Sequence, residues 1–179
     1  MIEFPNKSKI NEINKILRIM TKFKNFPLIF SRFISDPNLQ GTYAEDIYRN
    51  LKLLDINHAN PNELDLSFQV SKRYCNFLGN MHGGAIATLL DCTTTLAILK
   101  VDKFMRKTVS VDFGLSFLNP TNLNDNLIIK SECTKMGKSL AFSDAKIFVD
   151  NKMIVSYRHV KAILKEHYFD EEFMKKLTS

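Results

Sequence analysis

AIATLLDCTTTLAILK, the stretch Ala85–Lys100, is apolar or small nearly all the way round, and how it is read decides the fold. A helix with no polar face belongs in the middle of a domain, not on its surface. The chain beyond it changes period. Val109–Leu118, Leu127–Lys135, Ser139–Val149 and Met153–Leu164 read as strands. Short turns at Met136-Gly137-Lys138 and Asp150-Asn151-Lys152 join the last three. Upstream, Leu64, Leu66, Phe68 and Val70 alternate with Asp65, Ser67 and Gln69, the period of a half-buried strand. One buried helix followed by antiparallel strands is an α+β layout in which a sheet wraps around a central helix.

Working outward, Ile10, Ile13, Ile16, Leu17, Met20 and Phe23 recur at steps of three and four, which predicts an N-terminal amphipathic helix limited by Pro27. A packed helix fits this segment better than a targeting peptide. It has no continuous apolar run, and it is rich in Lys and Asn with acids, not in Arg and Ser. Asp36–Gly41 marks a loop, Tyr43–Tyr48 a short helical turn, Leu51–Ile56 a strand and His58–Asn62 a turn. Glu166–Ser179 reads as a short surface helix with Phe169, Phe173 and Leu177 on one side. The expected organisation is therefore an N-terminal helix and extension (1–35), a linker (36–62), a core (63–165) and a helical tail (166–179).

Bulk composition narrows the classes. At 179 residues, with 45% hydrophobic and 25% charged side chains, the chain suits one ordinary globular domain. The net charge of +6 is concentrated in residues 1–35, which hold seven basic and two acidic side chains and leave the remainder near neutral. No basic stripe interleaved with stacking aromatics exists, so no nucleic-acid partner is expected. Lacking a run of about 18 consecutive apolar residues, the chain is not expected to span a membrane. Cys75, Cys92 and Cys133 are odd in number and widely spaced, against a disulfide scaffold or zinc site. They suit a reducing compartment, cytosol or an organelle matrix, not secretion.

Two features could do chemistry. Gly83-Gly84, with His82 in front, opens the apolar helix, and the first N–H groups of a helix lack internal acceptors at the positive end of its dipole. They suit a developing oxyanion, although an ordinary turn would look the same. Asp91 sits between Leu90 and Cys92 in the most apolar helix of the chain. A buried carboxylate is costly, so a functional role is expected there; the alternative is a carboxylate bonded to Thr93, Thr94 or Thr95, or to a buried water. Gly83 and Asp91 are eight residues apart, about 12 Å along one helix. A single carbonyl cannot touch both, so joint action requires two copies of the chain.

Other motifs are weaker. Gly137-Lys138-Ser139 lies in a hairpin turn, where no phosphate-binding strand-to-helix loop can form. Cys92 has no base to make it a nucleophile. His58, His159 and His167 lack metal-ligand spacing and read as surface or hydrogen-bonded residues.

The run from Asn76 through Gly79, His82, Gly83 and Gly84 to Asp91 resembles the signature of hotdog-fold acyl-CoA thioesterases. It is most similar to the phenylacetyl-CoA thioesterase-like branch and the small animal enzymes within it. The likeness continues through Val109–Asp112, Leu118-Asn119-Pro120, Lys135–Phe142 and Arg158-His159, and Met20-Thr21-Lys22 with Asn25-Phe26 is similar to the animal enzymes' N-terminal helix. The resemblance implies that the Gly83 N–H polarises the thioester carbonyl, with His82 shaping that loop and Asn76 near the carbonyl or leaving sulfur. It implies that Asp91 of a facing subunit acts as general base or nucleophile, and that Ser110 hydrogen-bonds the water or the carboxylate. Phe117, Asn119 and Pro120, with Lys135, Met136, Gly137, Lys138, Ser139 and Leu140, would line the substrate and CoA groove. The chemistry needs no metal or cofactor. The implied assembly is an obligate dimer, paired further into a tetramer.

The chain departs from the pattern at Thr121 and Asn122, where some relatives are basic, and at Ala162, where one has a histidine. Both bear on the grip on nucleotide and on CoA against acyl carrier protein. A non-catalytic acyl-thioester binder would not need Asn76, His82, Gly83, Asp91 and Ser110 together. A hydroxyacyl dehydratase would want a histidine paired with the carboxylate, and none follows Asp91 on its helix.

Overall fold

A computed structural model describes residues 25–54 and 60–177. The stripe Ile10–Phe23 and His58 lie outside the described residues, as do Ile56 and the two C-terminal residues. Helix α1 covers 25–34, α2 Glu45–Asn50, α3 Gly83–Val101 and α4 Glu171–Lys176. The strands are β1 (Lys52–Leu53), β2 (Glu63–Gln69), β3 (Arg106–Phe117), β4 (Asn126–Met136), β5 (Leu140–Val149) and β6 (Lys152–His167). All pairings are antiparallel, in the order β1-β2-β4-β5-β6-β3.

The sheet wraps α3. Strand alternation sends Leu64, Leu66 and Phe68 of β2, Leu127 and Ile129 of β4, Ala145 and Ile147 of β5 and Val155 and Tyr157 of β6 into one core with Leu89, Leu90, Leu96 and Leu99. Leu89 is completely buried in the middle of this layer. Leu89→Ala should therefore cost about 2–5 kcal/mol, through lost transfer energy and the cavity left behind, as read by denaturant unfolding.

By length and composition α3 is apolar enough to cross a membrane, with 19 residues and a mean hydropathy of 1.4. Asp91 and four threonines break the apolar run without lowering the average below that range. The sheet accounts for that hydropathy, since 67% of the span is buried against the rest of the chain.

Helix α1 buries Phe26, Ile29, Phe30 and Phe33 against the core. The Phe33 ring meets Tyr48 at 5.2 Å and Tyr168 at 5.1 Å, which ties α1 to α2 and to the segment before α4. Phe169 and Leu177 are buried there too, so the tail docks by its apolar side.

The β3–β6 ladder slips between Ser110 and Asp112. Ser110 pairs with Lys161, while Asp112 pairs with Val160, leaving Val111 as the extra residue of a bulge. Before the bulge the even-numbered residues of β3 face α3; after it the odd-numbered ones do, and Phe113 lies against the rings of Tyr157 and His159.

Candidate active site

The loop from Asn76 to His82 is built before the helix begins. The Asn76 carboxamide oxygen accepts from the N–H groups of Leu78 (2.9 Å) and Asn80 (3.2 Å), and the Asn76 N–H donates to the Asn80 carbonyl at 2.7 Å. Gly79 completes the turn at φ +85°, a conformation most side chains resist. His82 then caps α3: its Nδ1 accepts from the Gly84 N–H at 2.9 Å. The Gly83 N–H, first in the helix, has no intrahelical acceptor. The Phe117 ring lies beside it, 3.0 Å from where a Cβ on Gly83 would stand.

Two turns down α3, Asp91 faces β3 and β6. Its Oδ1 accepts from Lys161 Nζ at 2.6 Å, and Ser110 Oγ stands 3.3 Å from the same oxygen. The expectation of a buried carboxylate needs correcting, because the Asp91 side chain is 44% exposed while Lys161 is the buried partner at 5%. Asp91 lies toward β3, the strand at this edge of the sheet. The threonines do not hold the carboxylate either. Thr94 and Thr95 donate to backbone carbonyls of their own helix, Thr94 to Leu90 (2.7 Å) and Thr95 to Asp91 (2.8 Å). That commitment turns their lone pairs outward, to His159 and Lys161.

His159 is hydrogen-bonded as expected, but it is fully buried, not on the surface. Since the Thr94 hydroxyl proton goes to Leu90, the His159 Nδ1–H donates to Thr94 Oγ1 at 2.9 Å. Nε2, 3.0 Å from Ser110 Oγ, is then the acceptor for the serine hydroxyl. Burial first, and the neighbouring Lys161 ammonium second, push the His159 imidazole down to about 4, against the opposing charges of Asp91 and Asp112. The imidazole is neutral at pH 7.

This depression fixes a pH dependence. Below the ordinary histidine value of 6.5 the unfolded chain takes up a proton that the folded chain refuses, so stability falls with pH until both are protonated near 4. His159→Gln should flatten the loss between those limits relative to wild type, whatever constant offset it brings, in denaturant melts across that range.

Burial pushes the Cys92 thiol up to about 12, with a contribution from the Asp91 charge, so the thiol next in sequence to the carboxylate is inert as a nucleophile.

The remaining groove residues fall at two ends of the sheet. Asn119 Nδ2 donates to the Met153 carbonyl at 2.8 Å, which places the Asn119-Pro120 turn and Phe117 by the start of β6 and near Gly83. The Ser139 carbonyl accepts from the Ile163 N–H at 2.8 Å, which places the Lys135–Leu140 hairpin by the far end of β6. Gly137 allows that hairpin to close, since a Cβ there would sit 2.8 Å from the Leu140 carbonyl oxygen. Ten residues of strand separate the two anchors, about 33 Å along β6. The expected site residues thus fall into two groups: Asn76, His82 and Gly83 with Phe117, Asn119 and Pro120; and Asp91 and Ser110 with the Lys135–Leu140 hairpin.

Lys161 escaped the sequence reading. Its signal was a lysine on the inward-facing register of β6, with Tyr157 and His159, opposite an aspartate on an apolar helix.

A sheet wrapped on one long helix, with the Gly83 amide open at the helix start and a lysine-bound carboxylate two turns along it, is the arrangement of a hotdog fold. Comparison with known proteins agrees. Residues 78–156 match the thioesterase superfamily. Human acyl-coenzyme A thioesterase 13 is 30% identical over 122 residues, 67% of this chain and 86% of that protein. The crystal structure of zebrafish thioesterase superfamily member 2 superposes with a TM-score of 0.65 at 25% identity, covering 76% of this chain and 94% of that one. Thioesterase superfamily member 2 from Mus musculus gives a TM-score of 0.59 at 26% identity, covering 70% and 91%. The chain belongs to the thioesterase superfamily.

Proposed function

We propose that the protein hydrolyses acyl-CoA thioesters, medium- and long-chain fatty acyl-CoA foremost, to free acid and CoA. The observation that carries this reading is the Asp91 carboxylate, bound on one oxygen and more than a third exposed, on a helix whose first N–H is unpaired within the helix. The relatives' thioesterase names supply the substrate class.

In this mechanism the Gly83 N–H donates to the thioester carbonyl and stabilises the oxyanion of the tetrahedral intermediate. Asp91 takes a proton from water as it attacks the carbonyl carbon, and the thiolate of CoA leaves. Ser110 orients the carboxylate or the water.

The two groups come from two copies of the chain. About 12 Å of one helix separates Gly83 from Asp91, and the groove segments divide into the same halves. A face for the second copy is at hand in β3, an edge strand, which exposes Val109 and Val111 on either side of Ser110. A further pairing of dimers gives a tetramer. Lys135 and Lys138 meet the CoA phosphates as point charges. The free thiols of Cys75, Cys92 and Cys133 suit the cytosol or an organelle matrix.

The test is release of CoA from acyl-CoA of graded chain length, alongside solution mass. Turnover rising with chain length in a dimer or tetramer supports the reading; stoichiometric binding without turnover, or an active monomer, overturns it.

A further inference from the structure

We propose that Lys161 is a positioning residue of the hydrolytic site, pinning Asp91 through Oδ1 so that Oδ2 is the oxygen presented to the reacting centre. This rests on the hydrolytic role assigned to Asp91 above. The lysine is built for one arrangement. Its ammonium carries three donors, and three acceptors surround it: Asp91 Oδ1 at 2.6 Å, Thr95 Oγ1 at 2.8 Å and Ser110 Oγ at 3.3 Å. Thr95 donates its own proton to the Asp91 carbonyl, so its oxygen is an acceptor toward Lys161. The acceptors come from α3 and β3 while the lysine comes from β6, so the ammonium fixes the carboxylate relative to all three elements.

The pin is one-sided. Lys161 and Ser110 both meet Oδ1. The terminal torsion of an aspartate is soft and nearly two-fold, and without a directional anchor its two oxygens exchange places at little cost. Lys161 removes that freedom before substrate arrives, and pre-set geometry lowers the barrier without touching the substrate. At 5% exposure the ammonium is held away from solvent and from the groove.

A second consequence concerns the neighbouring imidazole. His159 is faced by Asp91 from α3, Asp112 from β3 and Lys161 from its own strand, and of these only Lys161 opposes its protonation. The lysine thereby helps keep Nε2 an acceptor for the Ser110 hydroxyl, which fixes the serine beside Oδ1.

Lys161→Met keeps much of the side chain's length and volume and removes the charge. In the full-length protein, kcat for acyl-CoA hydrolysis should fall roughly 30- to 300-fold while KM changes less than about threefold. The His159 imidazole, followed by NMR, should titrate at a higher pH than in wild type. A kcat within about threefold of wild type, a loss carried by KM, or an unmoved imidazole overturns the assignment. If the Met variant does not fold, the wild-type protein labelled with ¹⁵N-lysine gives the second reading. A protected Nζ signal that shifts in Asp91→Asn supports the pin, and one that is absent or unmoved overturns it. Wild type that turns over no acyl-CoA removes the reaction itself, whereas wild-type turnover with a full-speed Lys161→Met removes only the lysine's role.

Discussion

Asp91→Asn should lower kcat for acyl-CoA hydrolysis by about 10²- to 10⁴-fold, the range expected when a positioned general base is lost. The substitution keeps the shape of the side chain, and its amide oxygen can still accept from Lys161. What disappears is the ability to take a proton from water, or to attack the carbonyl directly. The proposed CoA contacts lie on the Lys135–Leu140 hairpin and the Asn119-Pro120 turn, away from the altered atom. CoA affinity measured by calorimetry should therefore stay near the wild-type value while thiol release collapses. Full activity in this variant removes Asp91 from the mechanism.

Gly83→Pro should cost about 10²- to 10³-fold in kcat, the effect of deleting one oxyanion donor. Proline is well tolerated at the first position of a helix, where its missing N–H has no internal acceptor to lose. The residue before it must be extended, and His82 already is, at φ −65° and ψ 136°. The substitution thus removes one donor and leaves the helix. Its steric burden falls on the Phe117 ring, which is 54% exposed and free to swing outward. Gly83→Ala isolates that burden, because it adds a Cβ against the same ring but keeps the N–H. Alanine near wild type with proline collapsed identifies the amide as the working group; equal losses would assign the effect to Phe117. Mixing Gly83→Pro with Asp91→Asn chains under exchange should restore part of the activity, since a mixed dimer keeps one composite site intact.

The helix and strands were legible because their periods are long and uninterrupted. Gly83–Val101 carries apolar residues on every face, and β4 and β5 alternate over eight residues or more. Asp91 stood out for the same reason, as a charge where the pattern allows none. Its environment was harder to read. Whether an aspartate on an apolar helix is sealed or open depends on which strand covers it, and β3 is last in the sheet although first in sequence after the helix. Lys161 and His159 were missed as site residues because their partners lie 49 to 70 residues away in sequence. Only the β3–β6 register brings Ser110 opposite Lys161. The position of Val111 as an extra residue has no local signature at all.

That extra residue decides how many acids the reaction centre holds. Were β3 regular from Ser110 onward, Asp112 would share the inward face with Ser110 and stand next to Asp91. Two carboxylates so close repel each other and compete for the same donors. The slip in the ladder turns Asp112 to the opposite side, within 3.9 Å of Arg158. Deleting Val111 would thus alter the acid–base character of the enzyme without changing any residue that touches the thioester.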